Sequence, residues 1–396
     1  MIGRRKILRD GFAGAVGLAA LRPGRLLAQG SAFAPPAALT PIIARPDRIF
    51  RVTVCLRPFR AAGPRIEMEQ FGAKHVVHHY GHGGSGISLS WGSAAEAVPL
   101  ALATGAREIA VIGAGAIGMT TAITAQRMGA KVTVYTKARY PDIRSARATG
   151  NWSPHSRVAM EGATDAAFRE KWERMARRSF AIYQSFLGLP GNPVEWVDRY
   201  SLSDTPFEKR PHTPVTMPNG GTDYFVDYEE LVKDLTPRQQ EVPAGIHPFR
   251  APFVRQTTTL MFNVADYFHQ LESDFQLAGG RFVPLDLHGP EDFSKIREKT
   301  IINCTGFGVR DLLGDQSVIP VRGQIAWLLP QAGVNYGVQY NHVSVLARRD
   351  GIVVQPGGLD ESFGFNDPNE SPDYAAAHEA IDAAALMFAP KAGAAD

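Results

Sequence analysis

The chain has little sulfur, with two cysteines, Cys55 and Cys304, in 396 residues. That excludes a disulfide scaffold and a cysteine-rich zinc centre. No apolar run reaches the ~18 residues that a membrane-spanning helix needs. Charge of one sign is also missing, since 42 Lys and Arg stand against 39 Asp and Glu, a net +3. Even this surplus is local. Residues 1–30 hold Arg4, Arg5, Lys6, Arg9, Arg22 and Arg25 against Asp10, which leaves 36 basic and 38 acidic residues for the rest. A near-neutral body argues against a nucleic-acid binder, which needs a basic face to displace counterions from phosphates. What is present, 44% hydrophobic and 20% charged residues, suits a globular chain with a large core and excludes disorder throughout. At this length one large domain or two interleaved ones is expected.

The basic start has its own explanation. Arg4-Arg5-Lys6 is followed by a short apolar stretch, Phe12–Leu21, and by small-residue cleavage candidates near Ala28 and Ala34. That order is the pattern of an export signal, and the paired arginines resemble a twin-arginine signal. Residues 1–34 are therefore expected to engage the twin-arginine export machinery, which implies a periplasmic or extracellular protein. The proline-rich 35–50 then reads as a linker.

Farther along, Glu108–Ile112 is a short apolar strand leading into Gly113-Ala114-Gly115-Ala116-Ile117-Gly118. A helix-like stretch to Met128, a Gly129 stop and a second strand, Lys131–Tyr135, complete a β-α-β dinucleotide fingerprint in its required context. Gly113 permits the tight turn, Gly115 lets backbone approach a pyrophosphate, and Gly118 lets helix and strand pack closely. The acidic residue that usually ends the second strand, to hold a ribose, is absent. Thr136 and Lys137 stand there instead. Either a hydroxyl or backbone holds the ribose, or the cofactor carries extra negative charge near Lys137.

A second glycine cluster precedes the first. Tyr80-Gly81-His82-Gly83-Gly84-Ser85-Gly86 follows an apolar strand and precedes a helix-like Ser93–Ala103, so bare backbone is offered to a ligand. His78, His79 and His82 have no carboxylate or cysteine at ligand spacing, and no metal is expected.

These blocks carry a family resemblance. Leu56-Arg57-Pro58, Pro64–Glu67 and Tyr80–Gly84 through Trp91-Gly92 resemble the C-terminal part of D-amino-acid oxidases. Ile112–Gly118 is similar to that family's N-terminal strand and turn, Thr149-Gly150-Asn151-Trp152 to its second flavin-contacting segment, and Asn303-Cys304-Thr305-Gly306 with Arg322-Gly323-Gln324 to its third. The order differs, because the family's closing blocks here precede the glycine fingerprint, as in a circular permutation. The resemblance implies an α/β fold, with a Rossmann-like FAD-binding domain plus a mixed or antiparallel-sheet substrate domain. The permuted segment would be 51–92, the FAD-binding domain 93–160 with 258–316, and the substrate domain 161–257 with 317–390. Alternating segments at 318–329, 336–346 and 351–356 suit an antiparallel sheet that carries the substrate wall, and 51–72 and 190–257 are expected to join it.

The resemblance also implies FAD as cofactor and an amino acid as substrate. Arg57 would hold the substrate carboxylate, and the Gly84 carbonyl would accept from its amino group. Gly83, Gly86, Ile87 and Ser88 would line the flavin, along with Gly113, Gly115, Ala116, Ile117, Gly118, Gly150, Asn151, Trp152, Thr305 and Gly306. The expected reaction is oxidation of a D-amino acid to an imino acid, with oxygen as acceptor. Alternatives are a glycine or amine oxidase, a quinone-linked dehydrogenase and a non-catalytic binding protein. An NAD dehydrogenase also fits the glycine fingerprint but leaves the other blocks unexplained. The family's usual wall tyrosines are absent from Asp350–Gly357, where Tyr336 and Tyr340 are the nearest substitutes. Arg348-Arg349 reads as a solvated turn, with an acidic substrate as the other reading.

Overall fold

A computed structural model describes residues 39–208, 212–357 and 362–388. The expected export signal, residues 1–34, lies outside the described residues, as do the first residues of the expected linker. Two sheets organise the rest. The six-stranded sheet runs in the order Arg281–Pro284, Lys131–Thr136, Glu108–Ile112, Thr300–Asn303, Lys74–Tyr80, Arg65–Phe71. Its first five strands are parallel and the last is antiparallel. Parallel strands are covered on both faces and so read as unbroken apolar runs. Ile109 and Val111 face a core with Met119, Ala122, Tyr267 and Leu271, from the helices Ala116–Arg127 and Val264–Leu277. Ala110 and Ile112 face Phe293, Ile296 and Leu312 on the other side.

The eight-stranded sheet runs Ile49–Arg60, Val318–Leu328, Gly351–Pro356, Val343–Arg348, Gly337–Tyr340, Val194–Ser203, Phe253–Phe262, Gln240–Glu241. It is antiparallel except where Gly337–Tyr340 runs parallel to Val194–Ser203. Period-2 alternation sorts its side chains. Val338, Val345, Ile352 and Val354 pack beneath the helix Tyr374–Leu386 through Ala377, Ala380, Ile381 and Ala384. The opposite face carries Arg57, Ile325, Gln355, Ser344, Gln339 and Arg199 into a cleft.

The structure changes several expectations. Of 51–72, only the part to Arg60 joins the large sheet. Arg65–Phe71 forms a hairpin with Lys74–Tyr80 and edges the six-stranded sheet, because the turn near Gly63 swings the chain across. Strand Phe253–Phe262 pairs with Val194–Ser203, so the FAD-side segment starts after Phe262. The helix Ala166–Tyr183, expected in the substrate half, packs on the helix Gly86–Leu102, where Ser179 Oγ accepts from Gly92 N at 2.8 Å. The expected strand 336–346 is broken by Asn341, whose φ of 50° turns the chain.

Candidate functional site

The cleft has a volume of about 1640 Å³, above the ~300–1,000 Å³ of ordinary small-ligand pockets and suited to a dinucleotide with a small substrate beside it. Two helices begin at its wall. Gly86–Leu102 and Ala116–Arg127 have no acid in their first turns and no cap bond from the N-cap residues Ser85 and Gly115; the first N–H of the second, that of Ala116, donates to Ser145 Oγ at 3.1 Å. Both N-termini therefore keep positive dipole ends that favour an anion.

Gly118 shows why the second helix sits so close. A Cβ there would overlap the Gly113 carbonyl oxygen. Gly83, at φ +54°, would clash with the Arg157 carbonyl, so the upstream loop is held by backbone packing and is not a free surface turn. Ser85 Oγ donates to Ser156 O at 2.8 Å and ties this loop to the segment after Pro154.

The cleft wall includes Arg57, Gly83, Gly84, Gly86, Ile87, Ser88, Gly113, Gly115, Ala116, Ile117, Gly150, Asn151, Thr305 and Gly306. Two sequence candidates are not on it. Gly118 packs behind the turn. The Trp152 ring turns into the core against Phe180 and Tyr183, because backbone pairing with Leu260 fixes its direction. Its assignment as a flavin contact is corrected for the side chain.

Arg57 is half-buried and has one hydrogen bond among the described residues, Nη1 to Arg322 O at 3.3 Å. Burial lowers its pKa. It is a guanidinium without a carboxylate among the described residues. Tyr336 and Tyr340 do not supply the missing wall. Tyr336 OH donates to Thr40 O at 2.6 Å, and Tyr340 OH to Asp204 at 2.6 Å. The wall is built from Gln355, Ser344, Gln339 and Ile325. Arg348 is also not a solvated turn residue. Its side chain is 0% exposed, pairs with Asp350, donates to Ala148 O at 2.7 Å and Thr149 O at 3.2 Å, and lies over Trp327. Arg349 is half exposed and pairs with Glu195 at 3.6 Å.

The histidines are core residues. His79 Nδ1 meets Thr121 Oγ1 at 2.9 Å, and His82 Nε2 meets Ser93 Oγ at 3.0 Å. Burial, with the nearby Lys171 charge, pushes the His82 pKa down to about 3 and holds His79 well below its usual range, so both rings are neutral at pH 7. No group of three or more metal-ligating side chains occurs among the described residues. Both cysteines are free, and burial pushes Cys304 up to about 12, so it is an inert thiol.

The residues present fit FAD. Asn151 Oδ1, His79 Nε2 and His82 Nδ1 are buried without partners on segments that line the cleft, and the bare glycine turns leave room for a pyrophosphate. Gly113–Ile117 would hold the pyrophosphate, with Gly83–Ser88 and Gly150–Asn151 beside the flavin. At the ribose end, Thr136 Oγ1 is bonded to Ala138 O. Lys137 meets Asp286 at 3.9 Å at the same wall. Asp286 thus places a carboxylate at this wall, just after the neighbouring strand Arg281–Pro284. Sequence reasoning missed it because that pairing is long-range.

Fold and cleft together suit the binding of a dinucleotide. The chain belongs to the DAO family of FAD dependent oxidoreductases, whose family model matches residues 108–396, and FAD is its cofactor. It is 25% identical to a D-amino acid oxidase of Dugesia ryukyuensis over 275 residues, covering 66% of this chain and 73% of the relative. It is 24% identical to a D-amino-acid oxidase of Streptomyces coelicolor over 55% of this chain and 58% of that protein; the match spans little more than half of this relative. A D-amino-acid oxidase of Dictyostelium discoideum is 57% identical over 51 residues, 12% of this chain and 14% of the relative. Among solved structures, L-proline dehydrogenase from P. horikoshii matches with a TM-score of 0.45 at 14% identity, over 70% of this chain and 76% of that one.

Proposed function

We propose that the protein oxidises the α-carbon of D-amino acids, giving imino acids that hydrolyse to 2-oxo acids and ammonia. The observation that carries this reading is Arg57, a half-buried guanidinium facing the cofactor cleft with no acid paired to it among the described residues. A planar guanidinium binds a carboxylate bidentately, and no carboxylate among the described residues forms an ion pair with it, which leaves that place to a ligand. The Gly84 carbonyl, on the loop that walls the same cleft, accepts from the substrate amino group and so fixes which face of the α-carbon is presented. When bound, FAD would supply the redox chemistry: the substrate would lose a hydride from its α-carbon and a proton from its amine, and the two electrons with two protons would reduce oxygen to hydrogen peroxide. With the amine neutral when hydride leaves, no side-chain base is required. Peroxide formed in air from D- but not L-amino acids tests the reading; reduction of an added quinone without peroxide points to the dehydrogenase.

Circular permutation accounts for the segment order. The family match starts at 108, yet the residues before it supply one strand to the eight-stranded sheet and two to the six-stranded sheet, and then run into Glu108–Ile112 through the helix Gly86–Leu102. The export reading rests on Arg4-Arg5 and the apolar stretch after them. A twin-arginine route carries folded proteins, which suits a cofactor inserted during folding. Replacing both arginines by lysine should leave FAD-loaded protein inside the cell; unchanged export refutes the signal.

A further inference from the structure

The ribose end of the cleft carries its charges in an unusual arrangement. A dinucleotide fold ordinarily ends its second strand in an acid that accepts from the adenosine ribose. Here the strand Lys131–Thr136 runs out into Lys137. Thr136 is already committed, because its hydroxyl donates to Ala138 O at 2.6 Å and accepts from Ala138 N at 3.4 Å. Lys137 has no acceptor to offer. The neighbouring strand brings one. Pro284 pairs with Thr136, and Leu285 N donates to Thr136 O at 3.0 Å, so the pairing continues one residue past the strand Arg281–Pro284. Leu285 and Leu287 pack against the apolar cluster that holds Ile112 and Tyr135. Asp286, between them, lines the cleft and stands 3.9 Å from Lys137 Nζ.

We infer that Asp286 does the work of the missing acid: it accepts from the adenosine ribose hydroxyls of FAD, and Lys137 positions its carboxylate. A carboxylate has two acceptor oxygens, and its bonds to hydroxyls are charge-assisted and therefore strong. Its charge also offsets that of Lys137, so this end of the cleft suits a bare ribose diol and disfavours the ribose phosphate that Lys137 alone would attract. Both side chains are exposed, which makes their own ion pair weak and leaves the carboxylate open to a ligand. Asp142, on the loop after the second strand, also lines the cleft and is the alternative acceptor. Asp286 is favoured because backbone pairing holds its segment beside the strand end where the acid is ordinarily found. The inference rests on FAD as the cofactor and is independent of the substrate.

The test uses the full-length protein, freed of its flavin and titrated by calorimetry with FAD and with an FAD analogue that lacks both adenosine ribose hydroxyls. The parent should bind FAD at least about tenfold more tightly than the analogue. Asp286→Ala should lower FAD to the affinity of the analogue while the analogue itself stays within about threefold. Asp286→Glu should recover part of the preference. Lys137→Ala should cost about threefold or less, as the loss of a weak exposed pair does, and Asp142→Ala should keep the full preference. A parent that binds the two ligands equally, an Asp286→Ala protein that still prefers FAD, or a preference lost in Asp142→Ala or Lys137→Ala overturns the assignment. Equal weakening of both ligands in an Asp286→Ala protein with the parent's melting temperature overturns it as well. Binding is the readout throughout, so these outcomes hold whether or not the protein oxidises a D-amino acid.

Discussion

Arg57 lies flat across Gly323: a Cβ at position 323 would fall 2.5 Å from Nη2 and 2.7 Å from Cζ of the arginine. The two strands pair directly, with Cys55 opposite Gly323 and Arg57 opposite Val321, so the glycine leaves the space the guanidinium occupies. Gly323→Ala should therefore displace Arg57 without removing its charge. The expected result is a rise in KM of about tenfold or more with FAD content unchanged. Unaltered steady-state kinetics would show that Arg57 does not hold substrate in this position.

Arg348 secures the segment that bears Gly150 and Asn151 through the carbonyls of Ala148 and Thr149. Arg348→Ala removes these bonds and leaves the part-exposed Asp350 without its pair, a loss of about 1.5–3 kcal/mol. A lower melting temperature and faster FAD release on dilution should follow, and the ranking of substrates should stay as in the parent.

His79 and His82 set a pH dependence of stability. Their folded pKa values are depressed below the ~6.5 of an unfolded histidine. The unfolded chain then binds more protons below that value. Stability is full above about pH 6.5 and falls as the pH drops towards the folded values, by up to about 1.4 kcal/mol per pH unit for each histidine. Urea unfolding at pH 7, 6 and 5 should show this slope, and His82→Asn should make it shallower. An identical slope in the variant would contradict the neutral-ring assignment.

The segment order can be tested by restoring the order seen in the family. Ile42, Ala44 and Met387 share one core cluster, so the two ends of the described chain lie together. A rearranged chain starting at Arg107, running to Phe388 and joined by a short flexible linker to 39–106, should bind FAD as the parent does. A piece consisting of 105–396 alone should not, since it lacks the strand Lys74–Tyr80 beside Thr300–Asn303. FAD retention by the short piece would show that the upstream segment is dispensable.

The parts of the fold and site legible in the sequence were the local ones. The Gly113–Gly118 turn could be read because backbone contact forces those glycines, and the parallel strands because burial on both faces leaves an unbroken apolar run. The cleft face of the large sheet was opaque. In Val194–Ser203, Arg199 alternates with buried residues as a solvent-facing side chain would, and only the sheet order turns that face inward. Arg348 was misread for the same reason. A charged residue beside a turn gives no local sign that the carbonyls of 148–149, far off in sequence, receive it. Trp152 matched a flavin-contacting block, but its ring direction depends on pairing with Leu260.

Substrate oxidation itself is tested most directly by following the flavin absorbance of purified protein under anaerobic conditions while D- and L-amino acids are added one at a time. Rapid bleaching with D-amino acids, none with their L-enantiomers, and loss of the bleaching in Arg57→Ala protein that still holds its FAD are the predicted results. A flavin that no D-amino acid bleaches, or that L-amino acids bleach equally well, would contradict the account.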